Sequence, residues 1–307
     1  MLKKSSAVYL IAILSALMVT PAQARSRSFV SSYGNYANPC GPFAPCRQFD
    51  RAIDVTDPDG EVVVLDSAGF LPTTISKSVS LTAPTGVYVA ISVLTAGTSG
   101  VTIATPGVSV VLRGLILNGL GGDNGILMNG SGNLSIENCV ISNFSGAGQN
   151  GILVNGAVSV RIVDTLIRDN VTGIKLQAGA VSDIAGSKFL GNGNGIHTAS
   201  TSSSATSTTI SDTIVTGGGT GIEAISSGAG SARIQMIRSS VTNNLTGITS
   251  SASGGDAKFT FSESMVTGNL VGYLVGAGGS LLTLGNNTIA NNGTNNGTLT
   301  PLPGGLL

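Results

Sequence analysis

Three residues with acid–base side chains occupy matching places in this 307-residue sequence. Lys175, His197 and Glu223 each follow a Gly-Ile pair, and the steps between them are 22 and 26 residues. A row of amine, imidazole and carboxylate groups on adjacent repeats has the chemistry to abstract a proton or to perform acid–base work at a glycosidic bond. The alternative is that these side chains form an exposed ladder of compatible charges, which would show the same pattern without any catalytic role.

The sequence argues against three other kinds of site, namely a metal site, a catalytic triad and a phosphate-binding loop. His197 is the only histidine in the chain, which excludes a metal site built from several histidines. A Ser-His-Asp triad would have to use His197, and no motif supports one. The glycine-rich segment 217–221 lies between predicted strands, whereas a phosphate-binding loop needs a strand before it and a helix after it. We therefore expect neither a metal nor a cofactor.

The elements that position these residues follow from a repeat between about residues 110 and 290. One apolar anchor residue recurs at steps of 22 to 26 residues, and a second apolar residue stands five positions before every anchor. A nearly constant period in the twenties is typical of a solenoid. The anchors are Leu117, Ile141, Ile167, Phe189, Val215, Val241, Val266 and Ile289.

The composition of each repeat favours strands. The repeats are filled with β-branched residues, Gly, Ser and Asn, which are poor helix formers. Three short bursts of alternating apolar residues fit within one period. The pattern predicts an all-β chain folded as a right-handed, single-stranded parallel β-helix of about ten coils of 22–26 residues. A leucine-rich repeat has a similar period, but its Leu-x-x-Leu-x-Leu signature is absent.

Two columns of the repeat indicate turns. Gly173, Gly195, Gly221 and Gly247 are expected to serve sharp bends. An asparagine column is expected at the coil turns, since asparagine tolerates left-handed backbone geometry and stacked asparagines can form a hydrogen-bonded ladder. Both columns predict structure, and neither predicts chemistry. The ladder residues are Asn170, Asn192, Asn244, Asn269 and Asn292.

Two further columns lie just before the anchors. Two residues before the anchor the side chains are small, and Cys139 takes a place that is usually Ser or Thr, so we expect a buried and unreactive thiol. Three residues before the anchor runs a mixed stripe, which is expected to be a solvated turn carrying weak surface ion pairs. That stripe contains Asp164, Gly186, Asp212, Arg238 and Glu263.

Residues 1–24 have the pattern of a secretory signal peptide. Lys3 and Lys4 precede an apolar run, and Ala22-Gln23-Ala24 has the small residues of a cleavage site, which places cleavage after Ala24. A retained membrane anchor is the alternative, although the apolar run is too short to span a bilayer. Removing the two lysines leaves 15 − 2 = 13 basic residues against 15 acidic ones. The mature chain therefore has neither a predicted membrane span nor the basic footprint of a nucleic-acid-binding protein.

Residues 25–60 differ from the repeats and are predicted to form an N-terminal cap. Cys40 and Cys46 flank a proline-rich loop, and export favours a disulfide between them. Apolar spacing predicts a short helix from about residue 47 to 54, which would cover the open end of the first coil. The predicted β-helix occupies residues 61–299, and residues 300–307 are expected to form a tail.

The chain resembles the pectin-lyase-like superfamily of right-handed β-helix proteins, and more closely a family of small secreted bacterial β-helix proteins. The matching segments are Ser32-Tyr33-Gly34, Asn38-Pro39-Cys40, Ala44-Pro45-Cys46-Arg47, Phe49, Ala52-Ile53, Gly114-Leu115-Ile116 and Gly297 to Pro301. The superfamily's enzymes act on polysaccharides, so the resemblance implies carbohydrate by analogy. The Asn-Thr-Asp, Asp-Asp and Gly-His-Gly strings of polygalacturonases are absent, as is the carboxylate cluster of pectate lyases.

These observations predict a secreted, extracellular or periplasmic β-helix rod without catalysis. It is expected to be a binding or structural protein, with an extracellular polysaccharide or a surface protein as its partner. The alternative is a polysaccharide lyase or glycoside hydrolase that uses Lys175, His197 and Glu223. A passenger exported through a separate barrel is a third possibility. The aromatic residues of the cap, which include Tyr33 and Tyr36, are expected to pack as an end cap, with a sugar-stacking platform as the alternative.

Overall fold

The computed structural model describes residues 25–302, so the predicted signal peptide and its cleavage site at Ala24 lie outside the described residues. The described chain forms three parallel sheets and one short helix, α1 (Phe49–Val55). Sheet one contains β1 (Arg27–Val30), β2 (Gly60–Val64), β5 (Val79–Thr82), β8 (Val108–Arg113), β11 (Gly132–Glu137), β14 (Val158–Val163), β17 (Val181–Ala185), β20 (Thr206–Ser211), β23 (Ser231–Ile237), β26 (Asp256–Ser262), β29 (Gly279–Thr283) and β32 (Leu299–Pro301).

The other two sheets complete each coil. Sheet two contains β3 (Ala68–Phe70), β6 (Val89–Val93), β9 (Leu115–Gly119), β12 (Val140–Ser142), β15 (Leu166–Arg168), β18 (Lys188–Leu190), β21 (Ile214–Thr216), β24 (Ser240–Thr242), β27 (Met265–Thr267) and β30 (Thr288–Ala290). Sheet three contains β4 (Thr73–Ile75), β7 (Ser99–Ile103), β10 (Asn124–Asn129), β13 (Asn150–Asn155), β16 (Thr172–Gln177), β19 (Asn194–Ser200), β22 (Thr220–Ser226), β25 (Thr246–Ala252), β28 (Val271–Val275) and β31 (Thr294–Asn296).

The chain visits the sheets in a fixed order, one strand from each per coil, from β2–β3–β4 to β29–β30–β31. Each strand pairs in parallel with the strand of the next coil, as in β14 with β17 and β16 with β19. This confirms the predicted all-β parallel β-helix. The sheets extend beyond both ends of the predicted β-helix, residues 61–299. β1 of the cap segment is the first strand of sheet one, and β32 continues past residue 299.

The anchor column forms the interior of the solenoid. Ile141, Ile167, Val241 and Val266 are fully buried and pair along sheet two with the same residue of the next coil. The small-residue column fills a corner of this interior. Thr165, for example, is buried, and its backbone N–H donates to Ser187 Oγ of the next coil at 3.2 Å. The interior is therefore a narrow, continuous apolar core with one hydroxyl-lined corner.

The asparagine column lies inside the coil and forms two short ladders. Asn170 Nδ2 donates to Asn192 Oδ1 at 3.0 Å, and Asn244 Nδ2 donates to Asn269 Oδ1 at 3.1 Å. Gly218 separates the two runs, because a Cβ there would lie 2.1 Å from the carbonyl oxygen of Asn192. The expectation of left-handed geometry at these asparagines was wrong. The positive φ falls on the preceding residue, as in Asp169 and Asn243, and the ladder amides instead bond across coils.

The glycines of the Gly-Ile pairs have a different role from the expected one. Gly173, Gly195, Gly221 and Gly247 do not have positive φ, so they do not serve sharp bends. A Cβ on Gly173 would lie 2.6 Å from the carbonyl oxygen of Gly195 on the next coil. The same approach recurs at Gly195, where the distance to Gly221 O would be 2.4 Å. These positions lack side chains because adjacent coils approach too closely for a Cβ.

The N-terminal end is covered by α1. Phe49, Ala52 and Ile53 of this helix are buried, and the ring of Phe49 packs on Phe70 with ring centroids 4.7 Å apart. The helix begins later than predicted, because Gln48 has an extended backbone. Nothing in the described chain forms a helix long and apolar enough to cross a membrane.

The loop before α1 has the predicted disulfide, which joins Cys40 to Cys46. The expectation that the cap aromatics pack as an end cap was wrong for three of them. Tyr33, Tyr36 and Phe43 are 67%, 57% and 100% exposed. The loop therefore presents aromatic side chains to solvent at the N-terminal end of the rod.

Candidate functional site

Lys175, His197 and Glu223 lie side by side on the outer face of sheet three. Strand pairing places Lys175 opposite His197 and His197 opposite Glu223. Neighbouring parallel strands are about 4.8 Å apart, so the three side chains form one short line along the rod. This line belongs to a longer outward row, the sheet-three row, which consists of Thr74, Thr102, Leu127, Leu153, Lys175, His197, Glu223, Thr249 and Leu274.

His197 and Glu223 form a contact that the row alone does not require. His197 Nδ1 is hydrogen-bonded to Glu223 Oε1, and Asn194 Nδ2 donates to the same oxygen at 2.8 Å. The side chains of His197 and Glu223 are only 18% and 13% exposed. A carboxylate held by an amide fixes the orientation and tautomer of the imidazole, which is how a histidine is prepared for proton transfer. Lys175 adds a cation one strand away.

The N-terminal end of the sheet-three row opens into a cleft of about 600 Å³ beside α1. Its lining combines the carboxylates of Asp50 and Asp54 with hydroxyl groups and includes the apolar residues Leu127 and Pro72. Asp50 and Asp54 are four residues apart on α1 and therefore lie on one face of the helix. Thr73 Oγ1 donates to Asp50 Oδ1, which ties the helix to β4. The remaining lining residues include Thr74, Ser76, Thr98, Ser99 and Thr102.

Sequence reasoning missed this cleft, although two signals were present. Asp50 and Asp54 have the spacing of one helical face within the predicted helix. Thr74 and Thr102 occupy the same column as Lys175, but they lie in irregular coils outside the clear repeat. What could not be predicted is the packing of α1 against β4, which brings the carboxylates to the end of the row.

The mixed stripe before the anchors forms a turn. Asp212, Arg238 and Glu263 all have positive φ, between 47° and 50°. Arg238 Nε and an Nη group donate to the two carboxylate oxygens of Asp212 at 2.9 and 3.0 Å. The hydrogen bond from Arg238 lowers the pKa of Asp212. Within residues 25–302 the salt bridge of Arg238 is with Asp212, so the predicted alternation does not continue to Glu263.

A metal site needs several ligating side chains close together. Between residues 25 and 302 no group of three or more His, Cys, Asp or Glu side chains is placed to hold a metal ion.

The family follows from the sequence of the repeats themselves. A family model described as "Right handed beta helix region" matches residues 99–271, which is 173 of 307 residues and more than half of the chain. The chain belongs to the right-handed β-helix family. No curated protein has significant sequence similarity to this β-helix protein.

Solved structures of other proteins have a similar fold. It is similar to a structure described as pectate lyase Pel9A, with a TM-score of 0.61, 12% sequence identity, and coverage of 92% of this chain and 79% of that chain. It is also similar to a mutant of the PL6 family alginate lyase AlyGC, with a TM-score of 0.55, 9% identity, and coverage of 90% of this chain and 39% of that chain. At these identities the likeness shows the fold alone.

Proposed function

We propose that this β-helix protein binds an extracellular polysaccharide along the sheet-three row without cleaving it. The observation that carries the proposal is the cleft beside α1, whose lining combines the carboxylates of Asp50 and Asp54 with threonine and serine hydroxyls and with apolar Leu127 and Pro72. Carboxylates accept hydrogen bonds from hydroxyl groups, and serine and threonine both donate and accept. Such a mixture suits a polyhydroxylated ligand whose ring faces are apolar.

Three features of the molecule support this ligand class. Tyr33, Tyr36 and Phe43 are exposed at the same end of the rod as the cleft, and aromatic rings offer flat apolar surfaces on which sugar rings can stack. The two similar solved structures are named as lyases of pectate and alginate. The Cys40–Cys46 disulfide suits an oxidising compartment outside the cytoplasm, in keeping with the predicted signal peptide.

The proposal is tested by the retention of purified residues 25–307 on immobilised plant, algal and bacterial polysaccharides. Two double variants should each weaken retention about tenfold or more, since each removes two contacts that together contribute about 1.4 kcal/mol or more. They are Asp50→Asn/Asp54→Asn in the cleft and Tyr33→Ala/Tyr36→Ala in the cap. Thermal unfolding of each variant shows whether the fold is kept.

The matched control lies on another face of the rod. Arg233 and Lys258 face each other in register on sheet one, so Arg233→Ala/Lys258→Ala also alters two polar side chains. This variant should retain full binding. Equal retention by the cleft, cap and control variants would show that the ligand does not occupy the N-terminal end, and the proposal would fail.

The His197–Glu223 contact favours a second candidate, a polysaccharide-cleaving enzyme. The sheet-three row contains one carboxylate, whereas glycoside hydrolases generally use two. The row therefore suits a lyase better, with His197 as the base, Glu223 as its orienting partner, and Lys175 beside the developing negative charge. Released oligosaccharides that disappear in both His197→Ala and Glu223→Ala would establish this activity. Turnover that survives both changes would place the chemistry elsewhere.

A further inference from the structure

The two ends of the solenoid are built differently. At the N-terminal end α1 covers the first coil with Phe49, Ala52 and Ile53, and all three are buried. At the other end, β30, β31 and β32 are the last strands of the three sheets, and no described residue pairs with their outer edges. The anchor Ile289 is only partly buried, whereas Val266 of the preceding coil is fully buried. The last coil therefore presents both strand edges and part of the core.

The backbone of the last coil has hydrogen-bonding groups directed out of this end. In six earlier coils, the residue two places after the anchor donates its N–H to the next coil, as Asn243 does to Thr267 O at 3.3 Å and Gly268 to Asn291 O at 3.2 Å. Asn291 occupies this place in the last coil, where residues 25–302 provide no following coil. Strand edges of this kind are templates for pairing with another chain.

Charge does not protect this end. Glu263 is the last charged residue of the sequence, and the 44 residues that follow contain no Asp, Glu, Lys, Arg or His. Natural edge strands are commonly blunted by charged side chains or by proline, and of these devices the last strands contain only Pro301 of β32. β30 and β31 contain neither a charged residue nor a proline.

We propose that the C-terminal end, formed by β30, β31 and β32, is the interface of a two-fold dimer with a second copy of this chain. A charge-free edge meets no repulsion from an identical edge, and a two-fold axis would pair parallel-sheet edges as antiparallel strands. The α1 cap blocks the opposite end, so a head-to-tail filament is not available. Association therefore stops at two copies, which makes a double-length rod with an N-terminal cleft at each tip.

The test is the molar mass of purified residues 25–307 by sedimentation and light scattering from low micromolar concentrations upward. The proposal predicts a dimer. Thr294→Lys/Asn296→Lys on β31 should raise the concentration of half-dissociation by at least about tenfold, because four ammonium groups would face each other across the edges. Val181→Lys/Thr209→Lys adds the same charge to exposed positions on sheet one and should leave the dimer unchanged.

Either of two results would overturn the proposal. One is a monomer at every concentration, which would mean that something other than a second copy covers the edges or that they stay open. The other is a dimer that persists in Thr294→Lys/Asn296→Lys while its circular dichroism shows an intact fold. A variant that fails to fold would be replaced by Asn291→Lys, which adds charge at an exposed turn beside the same edge.

Discussion

At the scale of single residues, Cys139 shows how the solenoid interior controls reactivity. Its side chain takes a position that Thr165 and Ser187 occupy on the following coils, and it is buried. Burial raises the pKa of the Cys139 thiol to about 11. Because the thiolate is the nucleophile, this thiol is chemically silent near neutral pH in the folded protein.

This predicts a sharp difference between the folded and unfolded chains. At about pH 8, iodoacetamide should leave Cys139 unmodified in the native protein and alkylate it fully in denaturant, since unfolding restores an ordinary thiol pKa. Mass spectrometry without reduction counts the added groups, and Cys139→Ser provides the blank. Native labelling as fast as that of a free cysteine would contradict the burial of this thiol.

The candidate site was partly predictable at this scale. Lys175, His197 and Glu223 each follow a Gly-Ile pair, and this was enough to predict that they lie side by side on adjacent strands. Strand register in a solenoid follows directly from the repeat spacing. The contact between His197 and Glu223 depends on side-chain rotamers and on Asn194, which the spacing does not specify. The cleft depends on the packing of α1, for which the sequence offers only the spacing of Asp50 and Asp54.

At the scale of elements, the spacing between coils explains the glycine column. A Cβ on Gly173 would meet Gly195 O at 2.6 Å and the ring of Phe189 at 3.0 Å, and both of these groups belong to the neighbouring coil. Backbone atoms cannot retreat without disturbing the strand pairing of β16 with β19. Glycine is thus required by close approach, a property that sequence alone could not separate from a need for bends.

Gly173→Ala is therefore expected to lower the free energy of unfolding by about 1–3 kcal/mol, the usual cost of overpacking an interior. Urea unfolding followed by circular dichroism measures the change. Gly69→Ala is the matched control, because a Cβ there meets nothing within 4 Å, and it should differ from the wild type by about 0.5 kcal/mol or less. Equal stability of the two variants would refute the close-approach explanation.

At the scale of the whole molecule, the fold was the most predictable property. Strict recurrence of an apolar anchor and its partner five residues earlier determines which side chains face inward, and stacking then follows from the period. The boundaries were less predictable, because β1 and β32 join sheet one from segments whose sequences lack the repeat. Exposure of Tyr33, Tyr36 and Phe43 was also missed, since a cluster of aromatics in a sequence resembles a core.

The rod that results places its distinctive surfaces at defined points. The cleft and the exposed aromatics lie at the capped end, the His197–Glu223 contact lies further along the same face, and the charge-free edges lie at the opposite end. Ten coil steps from β2 to β32 span about 48 Å. A polymer lying along sheet three can therefore contact the cleft and the row at once.

Non-catalytic polysaccharide binding is tested by measuring binding and cleavage in one experiment. Purified residues 25–307 are incubated with a panel of plant, algal and bacterial polysaccharides, and retained protein and released oligosaccharides are measured in the same tubes. We expect retention on at least one polysaccharide without new oligosaccharides. Release of oligosaccharides would contradict the non-catalytic role and direct attention to His197 and Glu223, and the absence of both retention and release would contradict polysaccharide binding itself.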